Sequence, residues 1–172
     1  MIDNRFLRSI NIYLDSDHPD RVQHFRPTSK SVRLISSVLN SAAGDALFVI
    51  APYGSGKSIT AGYIGHAVEN RLGAKETLGV INQRLQVVTP ELSEVLQERL
   101  DSETGGVFVP LYGHVQSTPK ALQEGLISGM KRVGLGRNVR SLAALPHNSS
   151  QDMLELLQQG IEKIGLKNKD HL

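Results

Sequence analysis

Ala46-Leu-Phe-Val-Ile-Ala-Pro-Tyr-Gly-Ser-Gly-Lys-Ser58 is the stretch on which the reading of this chain turns. Residues 46–50 are a short, wholly apolar run bounded by turn-forming residues, the pattern of a central parallel strand covered on both faces. Gly54 and Gly56 reach backbone torsions closed to other residues, so successive amides can turn inward as an anion nest. After Lys57 the apolar positions Ile59, Tyr63, Ile64, Ala67, Val68 and Leu72 recur at helical spacing, and Gly73 is the expected stop. A helix that begins there aims its unpaired N–H groups and the positive end of its dipole at the nest.

Residues 51–58 fit the Walker A pattern, with Ala51 where the strict form has glycine. In this reading Lys57 bridges the β- and γ-phosphates of ATP, and the Ser58 hydroxyl coordinates Mg²⁺. Ala51 closes the strand and need not approach a phosphate. Pro52 and Tyr53 are free positions, and Tyr53 either shields the nucleotide or faces solvent. The candidate nucleotide-contacting set is Ala51, Pro52, Tyr53, Gly54, Ser55, Gly56, Lys57, Ser58 and Ile59. A glycine-rich turn without a ligand is the bland alternative; the apolar run before it and the amphipathic helix after it favour the cradle. ATP is preferred to GTP because Asn168-Lys169-Asp170 lacks the spacer of a guanine reader.

Working outward, Arg8-Ser-Ile-Asn-Ile-Tyr-Leu14 alternates apolar and polar residues and reads as a half-buried strand. Residues 15–27 form a polar loop with two prolines. A helix is expected from Ser29 to about Ala42, capped by Thr28 or Ser29 and ended by Gly44. Residues 76–88 are ambiguous and are read as a short helix. Thr89-Pro90-Glu91 opens a helix with cap, proline and acid in order. Gly106-Val-Phe-Val-Pro-Leu-Tyr112 reads as a second buried strand, moved towards an edge by Pro110. Thr118-Pro119 opens the next helix, residues 131–140 form a basic loop, and the last helix runs from Ser149 or Ser150 to Lys163. Asp152 completes a capping box with Ser149. Strands alternating with helices imply an α/β fold, the three-layer P-loop NTPase sandwich around a parallel sheet, present as its N-terminal portion. Residues 1–44 are then a leading segment and residues 45–172 the nucleotide-binding core.

Composition narrows the function classes. With 40% hydrophobic and 21% charged residues the chain is an ordinary globular sequence. Nineteen basic and 17 acidic residues leave a net charge of +2, too small to argue by itself for nucleic acid or a membrane. The absence of cysteine removes disulfides, thiolate metal sites and thiol catalysis. The first residues lack the apolar core of a signal peptide, and the run 46–52 is far short of the roughly 20 residues that span a bilayer. A cytoplasmic location without membrane partners is expected.

Hydrolysis in such folds needs an apolar strand that ends in Asp, often with Glu after it. No expected strand downstream of Lys57 ends this way. Asp15 and Asp17 close the alternating stretch upstream, where a surface turn is the simpler reading. The catalytic acid is therefore expected beyond residue 172, in a larger ATP-hydrolysing protein. A nucleotide-gated interaction module without hydrolysis is the rival, and a small-molecule kinase is a third, disfavoured by the fifty residues before the cradle.

Phe25-Arg-Pro-Thr28, then a helix, a strand and the cradle, is an order that resembles AAA+-like and related ATPases. The cradle, the helical region 85–100 and the stretch 107–113 also resemble the N-terminal part of large bacterial ATPases of phage-defence systems. The resemblance implies that Arg26, Pro27 and Thr28 lie near the base. It also implies a homo-oligomer, or further domains of a larger ATPase, as partners.

Other signals are weaker. Lys131, Arg132, Arg137 and Arg140 could meet nucleic-acid phosphates or reach a neighbouring nucleotide, but charge runs are usually solvated. The histidines at 18, 24, 66, 114, 147 and 171 show no metal-ligand spacing. His114, Gln116 and Ser117 compete as sensors of the γ-phosphate.

Overall fold

The computed structural model describes residues 10–39, 46–102, 104–111, 113, 115–146 and 148–169. The start of the first expected strand, the Gly44 stop, Tyr112, His114, His147 and His171 lie outside these residues. Among the described residues, every regular element is helical.

Helix α1 is a single turn, Ile12–Asp15. It forms where a strand was expected because local side chains capture the backbone. Asn11 accepts from the Leu14 amide at 3.2 Å, and the Asn11 amide donates to Asp15 Oδ2 at 2.8 Å. Such contacts compete with a ladder that has no partner strand nearby. A 3₁₀ turn, Pro19–Val22, follows. Helix α2, Ser29–Leu39, is capped by Thr28, whose amide donates to Ser31 Oγ at 2.8 Å while the Ser31 amide donates back to Thr28 Oγ1 at 3.3 Å.

Helix α3, Lys57–Glu69, is the centre of the molecule. It stops at Asn70, earlier than Gly73, because Asn70 takes the left-handed conformation at φ 47°. The Asn70 side-chain amide then donates to the Arg99 and Ser102 carbonyls, which fixes the distant turn at 99–102. Helices α4, Lys75–Val88, and α5, Pro90–Asp101, form an antiparallel hairpin with Pro90 in the first turn. Residues 76–88 are therefore helical, as read. Tyr63, Ile64 and Ala67 of α3 share one apolar core with Val22, Phe25, Ile35, Leu78, Ile81, Leu85, Leu92 and Leu96. The Phe25 and Tyr63 rings stack with centroids 5.0 Å apart.

A second core joins α6, Thr118–Arg132, the short α7, Val139–Ala143, and α8, Ser150–Lys169. The expected capping box holds: the Asp152 amide donates to Ser149 Oγ at 3.2 Å, and the Ser149 amide to Asp152 Oδ2 at 3.0 Å. No helix of the described residues is long and apolar enough to cross a membrane.

The expected α/β sandwich with a parallel sheet does not form: the described residues contain no strand and no sheet. Residues 46–50 lie open to solvent, with Phe48 91% and Ile50 97% exposed, so they are not a central strand. No hydrogen bond joins their backbone to another described segment. Residues 106–111 run between α3 and α6 with side chains alternating between the two, yet they too lack a ladder. A Cβ on Gly65 of α3 would stand 2.6 Å from the Phe108 ring, and one on Gly129 of α6 would stand 2.5 Å from Val107. Those glycines let both helices close on the chain. Apolar alternation specifies faces; it supplies no neighbour for the ladder.

The two cores are tied by an ion cluster centred on a buried carboxylate. Glu69, 1% exposed, pairs with Arg132 at 2.8 Å and with Arg71 at 3.1 Å, and it accepts from the Phe108 amide at 3.2 Å. Asp17 lies 3.8 Å from Arg71 and 3.7 Å from Arg132. Arg71 also donates to the Ser16 carbonyl at 2.9 Å and lies 3.3 Å from His66 Nδ1. Burial, reinforced by Arg71 and Arg132 and opposed by Asp17 and Asp20, pushes His66 down to about 4. The folded value is thus below the unfolded one, so the unfolded chain takes up the proton first as pH falls below about 6.5. Stability supplied by neutral His66 is complete above that value and is lost down to about 4. Between pH 7.5 and 4.5 the wild type is expected to lose about 2 kcal/mol more than His66→Gln in urea unfolding. Parallel losses in the two proteins would refute the assignment.

Candidate functional site

The loop before α3 takes the backbone torsions that its glycines suggested. Gly54 and Gly56 take positive φ values of 76° and 84°, and Gly56 is the N-cap of α3. That conformation turns the chain sharply into the helix, which a Cβ would resist. The Lys57 ammonium folds back over the loop. It donates to the Ala51 and Pro52 carbonyls, each at 2.7 Å, with Ser55 Oγ at 3.4 Å. The cation thus sits in the mouth of the loop.

Thr60 turns its hydroxyl onto the Gly56 carbonyl at 2.9 Å and its amide onto the same oxygen at 3.0 Å. Ser58 is left exposed, its hydroxyl making no hydrogen bond among the described residues. The amides of Lys57, Ser58 and Ile59 are first-turn donors without helical acceptors. No acid occupies the first turn of α3 to take them up.

An open groove of about 450 Å³ runs along this loop. One wall is the loop and the first turn of α3, from Tyr53 to Ile59. The other is supplied by Ile10, Arg21 and His24. Tyr53 is 100% exposed at the rim. Two permanent cations and a histidine face the groove, and no carboxylate among the described residues lines it. The groove therefore presents donors and positive charge, its nearest carboxylate being Asp15, 3.9 Å from Arg21 Nε and outside the lining, a suitable environment for a polyanion.

Arg21 and His24 escaped sequence reading because they lie in a polar loop with no motif. The resemblance pointed instead to Arg26, Pro27 and Thr28. Thr28 is spent on capping α2, and none of the three lines the groove. The segment is nevertheless held close, because Phe25 packs on Tyr63 and Arg84 donates to the Gln23 and Phe25 carbonyls.

Other candidates fall elsewhere. Gln116 and Ser117 border a separate groove at the start of α6, with Pro110 and Leu111. Arg132 does not belong to a solvated basic loop: its side chain is 7% exposed and committed to Glu69. Lys131, Arg137 and Arg140 remain exposed. Asp15 is 4% exposed and engaged by the Asn11 amide, and Asp17 belongs to the ion cluster, so neither faces the groove. No group of three or more acidic or histidine side chains among the described residues could hold a metal ion. Comparison with protein-family models, with curated proteins and with solved structures yields no match to this chain.

Proposed function

We propose that this chain binds ATP with Mg²⁺ in the groove along residues 51–59. The observation that carries the reading is the acid-free groove in which Lys57, the free first-turn amides of α3 and the Ser58 hydroxyl converge. A polyphosphate would replace the loop carbonyls as the partner of the Lys57 ammonium and would take up the orphan amides. Ser58 supplies a single oxygen, so Mg²⁺ would arrive bound to the phosphates, which with water would fill most of its octahedral shell. Its chemistry there would be to neutralise charge between adjacent phosphates.

Binding and hydrolysis separate in this reading. A carboxylate that polarises an attacking water would have to come from outside the described groove, from a further domain of a larger ATPase or from a second copy. The rival is a nucleotide-gated interaction module with no hydrolysis of its own. It draws on the exposed apolar residues 46–50, which lead directly into the cradle.

Titration calorimetry with Mg²⁺-ATP and Mg²⁺-GTP, with phosphate release followed in the same samples, tests the proposal. Saturable binding of ATP with negligible turnover is expected. No heat and no competition by ATP at millimolar concentration would reject it. Rapid turnover would keep the binding site but show that a catalytic acid acts from within this chain.

A further inference from the structure

We propose that Arg21 is a second cation of the polyphosphate site, acting from the same chain and opposite Lys57. The inference rests on the nucleotide-binding reading and adds a residue that the Walker A pattern does not contain.

Three observations carry it. First, Arg21 and Lys57 line one groove, and no acid among the described residues lines it with them. Second, Arg21 is weakly engaged. Its nearest carboxylate, Asp15, lies 3.9 Å from Nε, an ion-pair distance too long for a hydrogen bond, and its terminal nitrogens make no hydrogen bond within the described residues. A guanidinium with free donors suits a phosphate, which it can grip with two parallel hydrogen bonds.

Third, the wall that bears Arg21 is built onto the helix that bears the cradle. Val22, 1% exposed, packs where Gly62 of α3 has no side chain: a Cβ there would stand 3.2 Å from it. Phe25 stacks on Tyr63, and Arg71 holds the Ser16 carbonyl at 2.9 Å. Both walls of the groove thus share α3 as their base. The distance between the two cations is set by packing, and the groove does not depend on a mobile arm to bring the second charge in.

Lys57 would neutralise one part of the anion and Arg21 another, so the site would favour extended polyphosphates over a single phosphate. A nucleoside triphosphate and inorganic tripolyphosphate share that chemistry. The test measures the affinity of Mg²⁺-ATP and of Mg²⁺-tripolyphosphate for wild type, Arg21→Ala, Arg21→Lys and Lys57→Ala. Arg137→Ala, which removes an exposed charge that does not line the groove, is the control.

Arg21→Ala is expected to weaken both ligands by about 10- to 100-fold, with Arg21→Lys in between and Arg137→Ala unchanged. Circular dichroism melting accompanies each variant, and Arg21→Lys carries the test if alanine lowers the melting temperature. Loss of ATP affinity with tripolyphosphate affinity intact would place Arg21 on the nucleoside and overturn the phosphate role. Unchanged affinity for both ligands in Arg21→Ala would overturn it outright. If the wild type binds neither ligand, or binds both independently of Lys57, the cradle reading itself fails, and that outcome is distinct from a failure at Arg21.

Discussion

Lys57→Ala is expected to weaken Mg²⁺-ATP binding on the order of 100-fold, with little change in folding stability. The ammonium makes charged hydrogen bonds, and one such bond to an ionised partner contributes about 1.5–3 kcal/mol. At about 1.4 kcal/mol per tenfold, that range alone spans roughly 10- to 150-fold. One further effect pushes towards the upper end: without the ammonium, the Ala51 and Pro52 carbonyl oxygens would face the incoming phosphate with no cation between them.

The cost to folding should stay within about 1 kcal/mol, because Lys57 is only partly buried and belongs to neither apolar core. Calorimetry beside urea unfolding separates the two quantities. Equal ATP affinity in the two proteins would show that the lysine is merely a cap on its own loop.

The second large effect concerns stability. Arg132→Leu is expected to destabilise the fold by about 3–5 kcal/mol, since removing one partner of a buried pair leaves an uncompensated charge. Glu69 would remain 1% exposed, held by Arg71 and the Phe108 amide. These surviving partners place the expected loss near 3 kcal/mol, a large share of the roughly 5–15 kcal/mol that holds a domain folded.

The double variant Glu69→Leu with Arg132→Leu is expected to recover part of that loss, because apolar replacement of both partners removes the desolvation cost as well. Urea unfolding at pH 7 measures both. A single-variant loss below about 1 kcal/mol would mean that water reaches Glu69 and that the cluster does not clamp the two cores together.

How much of this was legible in the residues depends on how local each feature is. The loop before α3 was readable because glycine torsions and a helix start are settled within a few residues, and Gly54 and Gly56 take the torsions, and Lys57 the helix start, that their spacing implied. The start of α5 at Pro90 and the Ser149–Asp152 box were readable for the same reason. Helix ends were harder. Asn70 stops α3 in the left-handed conformation that Asn, like the Gly73 expected there, can adopt, and its side chain is held by carbonyls at 99 and 102, some thirty positions away, which no local rule announces.

The sheet shows the limit most clearly. Residues 46–50 and 106–111 carry the apolar patterns of strands, but a strand exists only where a second backbone pairs with it. Pairing is a property of the assembled chain, and neither segment finds such a partner among the described residues.

By itself, then, the sequence determined the glycine turn at 54–56, the helix that follows it and the caps, all features whose energetics are decided within one or two turns. Tertiary structure alone decided that Arg21 and His24 line one groove with residues 53–59, that Arg132 is buried on Glu69 and not offered to solvent, and that α3 and α6 enclose residues 106–111. Each of these depends on apolar packing and charge pairing between residues far apart in the chain. The hydrophobic effect that drives such packing is non-directional, so local pattern could not announce which distant partners would meet.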